Sequence, residues 1–514
     1  MTLTNKFTLL LLLLLTGQTS FTFSQQKENL VINRQDIKDI SAKNTVTVTH
    51  YEKDGKNYVY VGGFGNIDVF SLSENGQLTP VSNHELYKQK GPARGMVATN
   101  VLGNDFLFVA NKYGNVIETF QIQKNGSIER VALTEDTEDT YLGVAITLQV
   151  VKMKNKSYLF IGGLEETPGL SCFAINKDGS LSHVQSMKDD EKIHTDGIIG
   201  MSTHKINGKT YLYTGGFQDN GISSFRVYDN GSFKNINNIS DNKTDRYLTG
   251  TYPVCSVQLG EDHFVVVGHR HHKYYKRKGF IKNTDFTYHG DALTVFKIDN
   301  KGRLHQHSVL KDSDYTRLKG QTRIELVSQT DNEAVLAIGT RDDSSIQLCT
   351  LNKEGTLQPI HYLETGFSIY YGLDALQINN VPFLVAGSFR FDLGKVISYK
   401  VEKGSDHKNK NLKHVVSLKY KASATKEEID NALKTFEDLK DKIPEITALE
   451  WGENDSMEGH SKGFTYCFTL TFNNASAREK YLFHPAHLDL VKTIGPIIED
   501  VFVMDYWTEK QNKL

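Results

Sequence analysis

A short sequence motif, the repeated phrase, recurs seven times and organises most of this chain. Each copy is a run of four mainly aromatic or apolar residues that ends at Gly or Ala, and the copies follow one another at intervals of roughly 50 residues. The seven copies end at Gly62, Ala110, Gly162, Gly215, Gly268, Gly339 and Gly387. A repeat of this length predicts an array of one supersecondary unit, because a single small sheet cannot bury both of its faces alone.

Strand and turn signals surround each copy of the phrase. An alternating strand such as Ile222–Val227 follows it, and most copies then carry a hairpin turn such as Asn230-Gly231. A further short strand precedes each phrase. Four antiparallel strands in each of seven units predict a mainly β fold, a seven-bladed β-propeller within residues 25–402. The last unit lacks an outer strand of its own, so we expect Leu30–Arg34 to supply it and close the ring.

The first 24 residues have the pattern of a secretory signal peptide. Lys6 supplies a positive start, Leu9–Leu15 form an apolar core, and Ser24 ends a cleavage site of small residues. The apolar run is too short to span a bilayer, and no later stretch is long and apolar enough. The sequence therefore predicts an exported protein, periplasmic or secreted, that does not act on a membrane.

Charge and cysteine content exclude several classes of protein. The formal net charge of −2 at pH 7 argues against a nucleic-acid binder, which usually carries a basic excess. The cysteines stand singly, with no Cys-x-x-Cys pair, which argues against a disulfide scaffold or a zinc knuckle. We expect all of them to be small buried hydrophobic residues; they are Cys172, Cys255, Cys349 and Cys467.

A second domain follows a charged linker over residues 403–411, which contains no apolar residue. Residues 412–507 read as strands and two amphipathic helices in the order βαββαβ, the split unit of an α+β ferredoxin-like domain, and 508–514 form a tail. Thr425 opens a capping-box pattern at the start of the first helix. Pro485 predicts a bend or break in the second helix.

The propeller segment resembles the lactonase-like seven-bladed family, which includes 6-phosphogluconolactonase-type proteins. The resemblance rests on strands of the Tyr58–Gly62 type, on Asn-Gly-x-Leu turns and on Gly91–Arg94, which opens an inner strand. It covers residues 45–405. It implies activity on a sugar lactone or an acidic carbohydrate, within the degradation of an acidic polysaccharide.

Residues 412–507 resemble the stress-responsive α/β-barrel (Dabb) family over nearly its whole length. The matching motifs are His414-Val-Val, Gly452-x-Asn454, Gly463-Phe464, Tyr481-x-x-His484-Pro485-Ala486-His487 and Asp505-Tyr506. Such domains pair through their sheets, so the resemblance implies a homodimer.

Some members of that family are cyclases, and their site residues can be matched here. A Tyr and a His that match Tyr481 and His487 handle protons in those enzymes, which is work suited to His near neutral pH. The cyclases also use a His in the third strand, and Phe464–Phe468 contains none. That departure argues against an enzymatic role. In the structural alternative, His484, Pro485 and His487 shape the start of the helix and the dimer cleft.

A propeller binds ligands at one mouth of its central channel, where loops enter the inner strands. Arg and His suit carboxylate or phosphate groups there, and Asp196 near His194 would make an acid–base pair. The alternative is that several of these residues only cap blade edges. By position, the candidates are Arg94, Tyr141, His194, Asp196, Tyr252, Arg323 and Tyr371.

The fifth unit carries an insertion that begins at His269-Arg270 and is dense in His, Tyr and basic residues up to Lys278. Interleaved Tyr and basic groups suit an anionic, ring-shaped ligand, whereas a run of like charges is more often a solvated loop. A metal site through His269, His271 and His289 matches no known spacing. We therefore expect neither a metal nor another cofactor.

Three functions remain open at this point. A lactonase would polarise an ester carbonyl and activate water. A polysaccharide lyase would neutralise a uronate carboxylate with Arg and move protons with Tyr or His, and Tyr252, His269 and Arg270 lie in one unit. The third is a non-catalytic dimer that binds a repeating glycan through two mouths. The family resemblance ranks lactone hydrolysis first.

Overall fold

The structure, a computed structural model, consists of a ring of seven small sheets and one further sheet covered by helices. The predicted signal peptide and most of the basic insertion lie outside the residues that it describes. These residues are 30–42, 44–89, 91–164, 168–241, 246–270, 291–389, 394–404, 407 and 409–510.

Each blade is a four-stranded antiparallel sheet. Strand β1 (Leu30–Asp39) belongs to the last blade, and the first three blades follow it in chain order. Blade 1 contains β2 to β5, Thr45–Lys53, Lys56–Gly63, Asn66–Leu72 and Leu78–Glu85. Blade 2 contains β6 to β9, Ala93–Val101, Asn104–Asn111, Val116–Ile122 and Ile128–Glu135. Blade 3 contains β10 to β13, Ala145–Lys152, Ser157–Gly163, Gly169–Ile175 and Leu181–Lys188.

The remaining blades repeat the arrangement. Blade 4 contains β14 to β17, Ile198–Ile206, Lys209–Gly216, Gly221–Val227 and Phe233–Ser240. Blade 5 contains β18 to β21, Thr251–Leu259, Asp262–His269, Ala292–Ile298 and Leu304–Lys311. Blade 6 contains β22 to β25, Gln321–Gln329, Glu333–Thr340, Ser345–Asn352 and Leu357–Glu364. Blade 7 contains β26 to β28, Leu373–Ile378, Val381–Gly387 and Lys395–Lys403.

The ring closes between the two ends of the propeller segment. The inner strands contact one another in cyclic order, and β26 of blade 7 contacts β2 of blade 1. Strand β1 pairs antiparallel with β28, from Leu30 opposite Lys403 to Asp39 opposite Lys395. The prediction that the N-terminal segment completes the last blade is therefore confirmed, and the strand extends five residues beyond Arg34.

Contacts between neighbouring blades explain two features of the repeat, the glycine of the hairpin turn and the aromatic residue that opens the repeated phrase. The hairpin glycine of one blade lies against the aromatic ring that opens the repeated phrase of the preceding blade. A Cβ on Gly231, which has φ +83°, would lie 2.3 Å from the ring of Tyr158. The Tyr158 hydroxyl donates to the carbonyl of Asp229 in the same turn, at 3.0 Å. The turn therefore needs glycine both for its left-handed backbone and for the space.

The C-terminal domain has the predicted order βαββαβ. Its sheet has the strand order β30-β31-β29-β32 and packs against helices on one face. The strands are β29 to β32, Lys410–Tyr420, Ala448–Glu453, Tyr466–Phe472 and Ile498–Glu509. The helices are α1 to α4, Lys426–Glu437, Leu439–Lys442, Ala475–Leu482 and Pro485–Ile494. The capping box at Thr425 and the break before Pro485 are both confirmed.

Helix α3 joins the two domains. Phe483, directly after the helix, is buried in the core of blades 6 and 7, where its ring meets Phe367 edge to face at 4.8 Å. Lys480 Nζ lies 2.8 Å from a carboxylate oxygen of Glu364 at the end of β25. Arg34 of β1 contacts the fully buried carboxylate of Glu479 at 3.4 Å. The C-terminal domain is therefore docked on the blades at which the ring closes.

The cysteine prediction is wrong in part. Cys172 and Cys349 are buried, but Cys255 is half-buried and Cys467 is exposed. Cys467 alternates along β31 with buried Phe468, and its side chain therefore lies on the sheet face opposite the helices.

None of the described helices is long and apolar enough to cross a membrane.

Candidate functional site

A ring of bulged residues forms one mouth of the propeller channel. In blades 1 to 6 the register between the first two strands shifts directly after the first residue of the inner strand. A bulge re-aims a side chain away from the sheet. The bulged residues of blades 1, 3, 4 and 5 form one buried cluster with Tyr370 and Tyr371, which precede the inner strand of blade 7; they are Val46, Ile146, Ile199 and Tyr252.

Two buried arginines lie among the tyrosines of this mouth. Arg94, the bulged residue of blade 2, donates from Nη2 to the hydroxyl of Tyr371 at 2.9 Å. Its guanidinium lies 4.6 Å from the ring centre of Tyr370 and 4.4 Å from that of Tyr371. The guanidinium of Arg270 lies 5.7 Å from Tyr370 and 5.8 Å from Tyr252. Contacts of this kind stabilise cations that have lost their water.

The arginines and tyrosines line a cavity of about 220 Å³. This is smaller than the pockets of about 300–1,000 Å³ that hold drug-sized ligands, so it suits one small group or a single ring. Lys112 adds a third cation to the wall, and none of the described residues that line the cavity is acidic. The Nε of Arg94 is buried without a hydrogen-bond partner among the described residues. A wall with three cations and no acid among its described residues has the chemistry that suits an anion or a carbonyl oxygen.

The electrostatics of the mouth separate one tyrosine from the other two. Burial raises the pKa of Tyr370, but Arg94 and Arg270 lower it more strongly, to about 7. Burial raises the pKa of Tyr252 and of Tyr371 well above the ordinary value. Tyr370 is thus the residue of this cluster that can accept a proton near neutral pH, while its two neighbours stay protonated and can donate.

The sequence predictions found part of this mouth. Arg94, Tyr252, Arg270 and Tyr371 come together as expected for residues at the loop-to-strand junctions. Tyr370 was missed, although it adjoins Tyr371 in the sequence. Its surroundings depend on tertiary packing, which the sequence does not show: its ring stacks on Phe389, just after β27 of blade 7, at 4.6 Å.

Both histidines proposed for the mouth hold backbone or loop structure instead of lining the cavity. His269 is buried, and its Nε2 accepts a hydrogen bond from the backbone N–H of Ala292 at 2.9 Å. His194 is also buried, with Nε2 at 2.8 Å from the Ser240 hydroxyl, and burial lowers its pKa. His271 and His289 of the suggested metal set lie outside the described residues.

Arg323 belongs to a charged group inside the channel and not to the cavity wall. Its Nη2 lies 3.0 Å from Glu325, two residues along the same inner strand. On the adjacent blade, Asp374 accepts hydrogen bonds from the backbone N–H and from Nδ1 of His50, at 2.6 and 2.7 Å. Burial raises the pKa of Glu325 to about 7. These charges neutralise one another within the channel.

Asp196 lies in a group of carboxylates that the sequence did not reveal. One carboxylate oxygen from each of Asp189, Asp196 and Asp219 lies within 4.8 Å of the others. The backbone N–H of Asp196 donates to Asp219 at 2.7 Å, and the Thr195 hydroxyl donates to Asp189 at 2.9 Å. These hydrogen bonds shape the loop that enters blade 4.

A second cavity, of about 420 Å³, lies between the sheet and the helices of the C-terminal domain. The rings of Tyr481 and His487 meet at 4.4 Å in its wall. His487 Nδ1 lies 3.0 Å from the carbonyl of Leu482, so this nitrogen is the donor and Nε2 is the acceptor. Burial lowers the pKa of His487 to about 4, which keeps the ring neutral. His484 instead caps helix α4 by accepting from the N–H of Ala486.

Comparisons with known proteins match the C-terminal domain to a described family. Residues 412–508 match the family described as the stress responsive A/B barrel domain. Over 95 residues the chain is 30% identical to the stress-response A/B barrel domain-containing protein HS1 of Arabidopsis thaliana, a match that covers 18% of this chain and 87% of that one. It is 26% identical over 99 residues to olivetolic acid cyclase of Cannabis sativa, covering 19% and 98% of the two chains.

The propeller is similar in fold to a solved lactonase structure. The periplasmic gluconolactonase of Pseudomonas aeruginosa is 12% identical and superposes with a TM-score of 0.43, over 61% of this chain and 84% of that one.

Proposed function

The chain belongs, through its C-terminal domain, to the stress-responsive A/B barrel family, and we propose that this domain carries the propeller and makes the protein a dimer. We propose that the propeller itself hydrolyses a sugar lactone. We further propose that the protein is exported by residues 1–24 and acts in the degradation of an acidic polysaccharide outside the cytoplasm. The substrate class is a lactone or another derivative of a sugar acid.

One arrangement carries the proposal: the ring of Tyr370 lies 4.6 Å from Arg94 and 5.7 Å from Arg270, in a cavity the size of a single ring, and the two guanidinium groups lower its pKa to about 7. A general base is most effective when its pKa is near the working pH. Arginines aimed at a developing oxyanion stabilise it without reorganisation. These positions support a base and an oxyanion site in one small space.

The chemistry follows from these positions. The Tyr370 phenolate takes a proton from water, and the water oxygen forms a bond to the lactone carbonyl carbon. Arg94 and Arg270 stabilise the oxyanion of the tetrahedral intermediate. The bond from this carbon to the ring oxygen then breaks, Tyr370 returns its proton to the leaving oxygen, and a hydroxy acid is released.

Elimination from a uronate is the second candidate, and the same arrangement supports it. The two arginines would neutralise the carboxylate, which acidifies the neighbouring C–H. Tyr370 would take that proton, the bond to the glycosidic oxygen would break, and a protonated tyrosine such as Tyr252 would supply the proton to the leaving oxygen. The product would be an unsaturated uronate.

Product analysis over a pH series tests both reactions. We expect the full-length mature protein to release acid from a panel of aldonolactones, with turnover rising as the pH passes about 7, because the deprotonated form of Tyr370 is the active one. Release of unsaturated uronate from uronate polymers, seen by ultraviolet absorbance, would select elimination instead. Binding of sugar acids without turnover of either substrate class would contradict both.

A homodimer through the C-terminal sheet is part of the proposal. Val501 and Val503 of β32 line the cleft on the helix side, so Phe502, Met504 and Tyr506 lie on the opposite face. These three side chains are 41–48% exposed. We expect Phe502→Asp with Met504→Asp to halve the mass measured by light scattering, whereas Val131→Asp, on an exposed blade edge, should not change it. A monomeric parent protein would refute the dimer.

A further inference from the structure

The cleft of the C-terminal domain has an apolar wall with one polar end. Most of its lining is aliphatic or aromatic, from β29, β32 and the helices, and Val491, Val501 and Val503 at its rim are 45–52% exposed, which leaves the cleft accessible from solvent. The polar end is formed by four side chains, Arg34, His414, Tyr481 and His487. A cleft of this kind suits an apolar molecule with one polar group.

One of these four residues comes from the other domain. Arg34 lies on β1, the ring-closing strand of the propeller, and it lines the cleft together with residues more than 370 positions further along the chain. Its guanidinium is held by Glu479, whose side chain is fully buried. A guanidinium has five N–H donors, so one contact leaves it able to bind a second acceptor group.

The remaining charges at this end are already engaged with one another. Arg478 donates from Nη1 to Asp505 at 2.7 Å and from Nη2 to Glu479 at 2.8 Å. Asp505 also lies 2.6 Å from Nδ1 of His414. Neither carboxylate reaches the cleft wall, which among the described residues carries one permanent cation and no acid.

We propose that Arg34 is the anion-recognising residue of the C-terminal cleft, so that the two domains together form a binding site for a carboxylic acid with an apolar body. The apolar body would lie against the aliphatic wall, and the carboxylate would accept hydrogen bonds from Arg34. This site is separate from the channel mouth and does not depend on the reaction proposed there.

Binding of a matched pair of probes to the full chain tests the proposal. We expect decanoate to bind, measured by calorimetry, and decanamide, which has the same body without the charge, to bind at least tenfold more weakly. Arg34→Met should weaken decanoate roughly 10- to 100-fold, since a hydrogen bond to a charged group contributes about 1.5–3 kcal/mol, and should leave decanamide unchanged. Lys38→Met on the same strand, which lines neither the cleft nor the channel mouth, is the control and should change neither.

A second variant separates recognition from a purely structural role. Arg34→Met leaves the buried Glu479 without this partner, which alone can disturb the cleft. The double variant Arg34→Met with Glu479→Gln removes that charge, and we expect it to keep decanamide binding and to remain defective for decanoate. Recovery of decanoate binding in the double variant would overturn the proposal, as would equal affinity of the parent for the two probes or no binding of either.

Discussion

Replacing Tyr370 with Phe is expected to lower kcat on the lactone substrate by about 10²- to 10⁴-fold, the usual contribution of a positioned general base. Phe keeps the ring that stacks on Phe389 and lies under Arg94, so the fold and the arginine contacts should persist. The loss should fall on kcat more than on KM, because binding of the sugar ring uses the arginines.

The matched control for this change is Tyr362→Phe. Tyr362 also lies against an arginine, with Arg317 at 4.3 Å from its ring centre, but it is on the outer strand of blade 6. We expect that variant to keep full activity and the rise in turnover near pH 7. If Tyr370→Phe kept both as well, Tyr370 would not be the base.

Deletion of residues 25–40 should have the largest effect on stability. It removes the outer strand of blade 7 and leaves β28 with an unpaired edge, which is a surface for aggregation. It also removes Arg34 from the domain interface. We expect a large fall in the temperature of thermal unfolding and a loss of soluble protein, followed by circular dichroism and light scattering.

Point substitutions in the same strand provide a graded check. Ile32 is buried in the core of blades 6 and 7, so Ile32→Ala should cost about 2–5 kcal/mol. Asp39 is 83% exposed, and Asp39→Ala should change stability by no more than about 0.5 kcal/mol. Unchanged thermal unfolding after the deletion would show that β1 is dispensable for the closed ring.

The blades could be predicted because their signals are local. An aromatic such as Tyr158, which opens the four-residue run, and a turn glycine such as Gly231 in the following blade recur at intervals of roughly 50 residues, and the structure places these two residues in direct contact between blades. The break in the second helix could likewise be predicted from Pro485 alone, because proline has no backbone N–H and interrupts a helix. The ring-closing role of β1 was inferred from a missing strand and not from any signal in β1 itself.

The site could be predicted only in part, because it depends on contacts between distant segments. Arg94 and Arg270 were recognised as residue types that bind anions. Their effect on the pKa of Tyr370 could not be predicted, because it depends on both arginines lying close to that ring. The pattern at His269 indicated ligand chemistry, whereas its ring accepts a hydrogen bond from the backbone at Ala292, the first residue of β20. No periodicity in the second domain marked Phe483 as a residue of the propeller core.

The pairing of β1 with β28 also constrains the order in which the parts of the chain can fold. Asn33 and Glu402, joined by a hydrogen bond across this pair, are separated by 369 positions, so the seam cannot form until nearly the whole propeller has been synthesised. The first six blades can assemble as a curved, open stack of nearest neighbours before that event. Helix α3 docks on β25 of blade 6 and, through Glu479, on Arg34 of β1, the strand that completes blade 7. The composite cleft at Arg34 is therefore the last part of the molecule to exist, and its occupancy would report that a given chain has completed its ring.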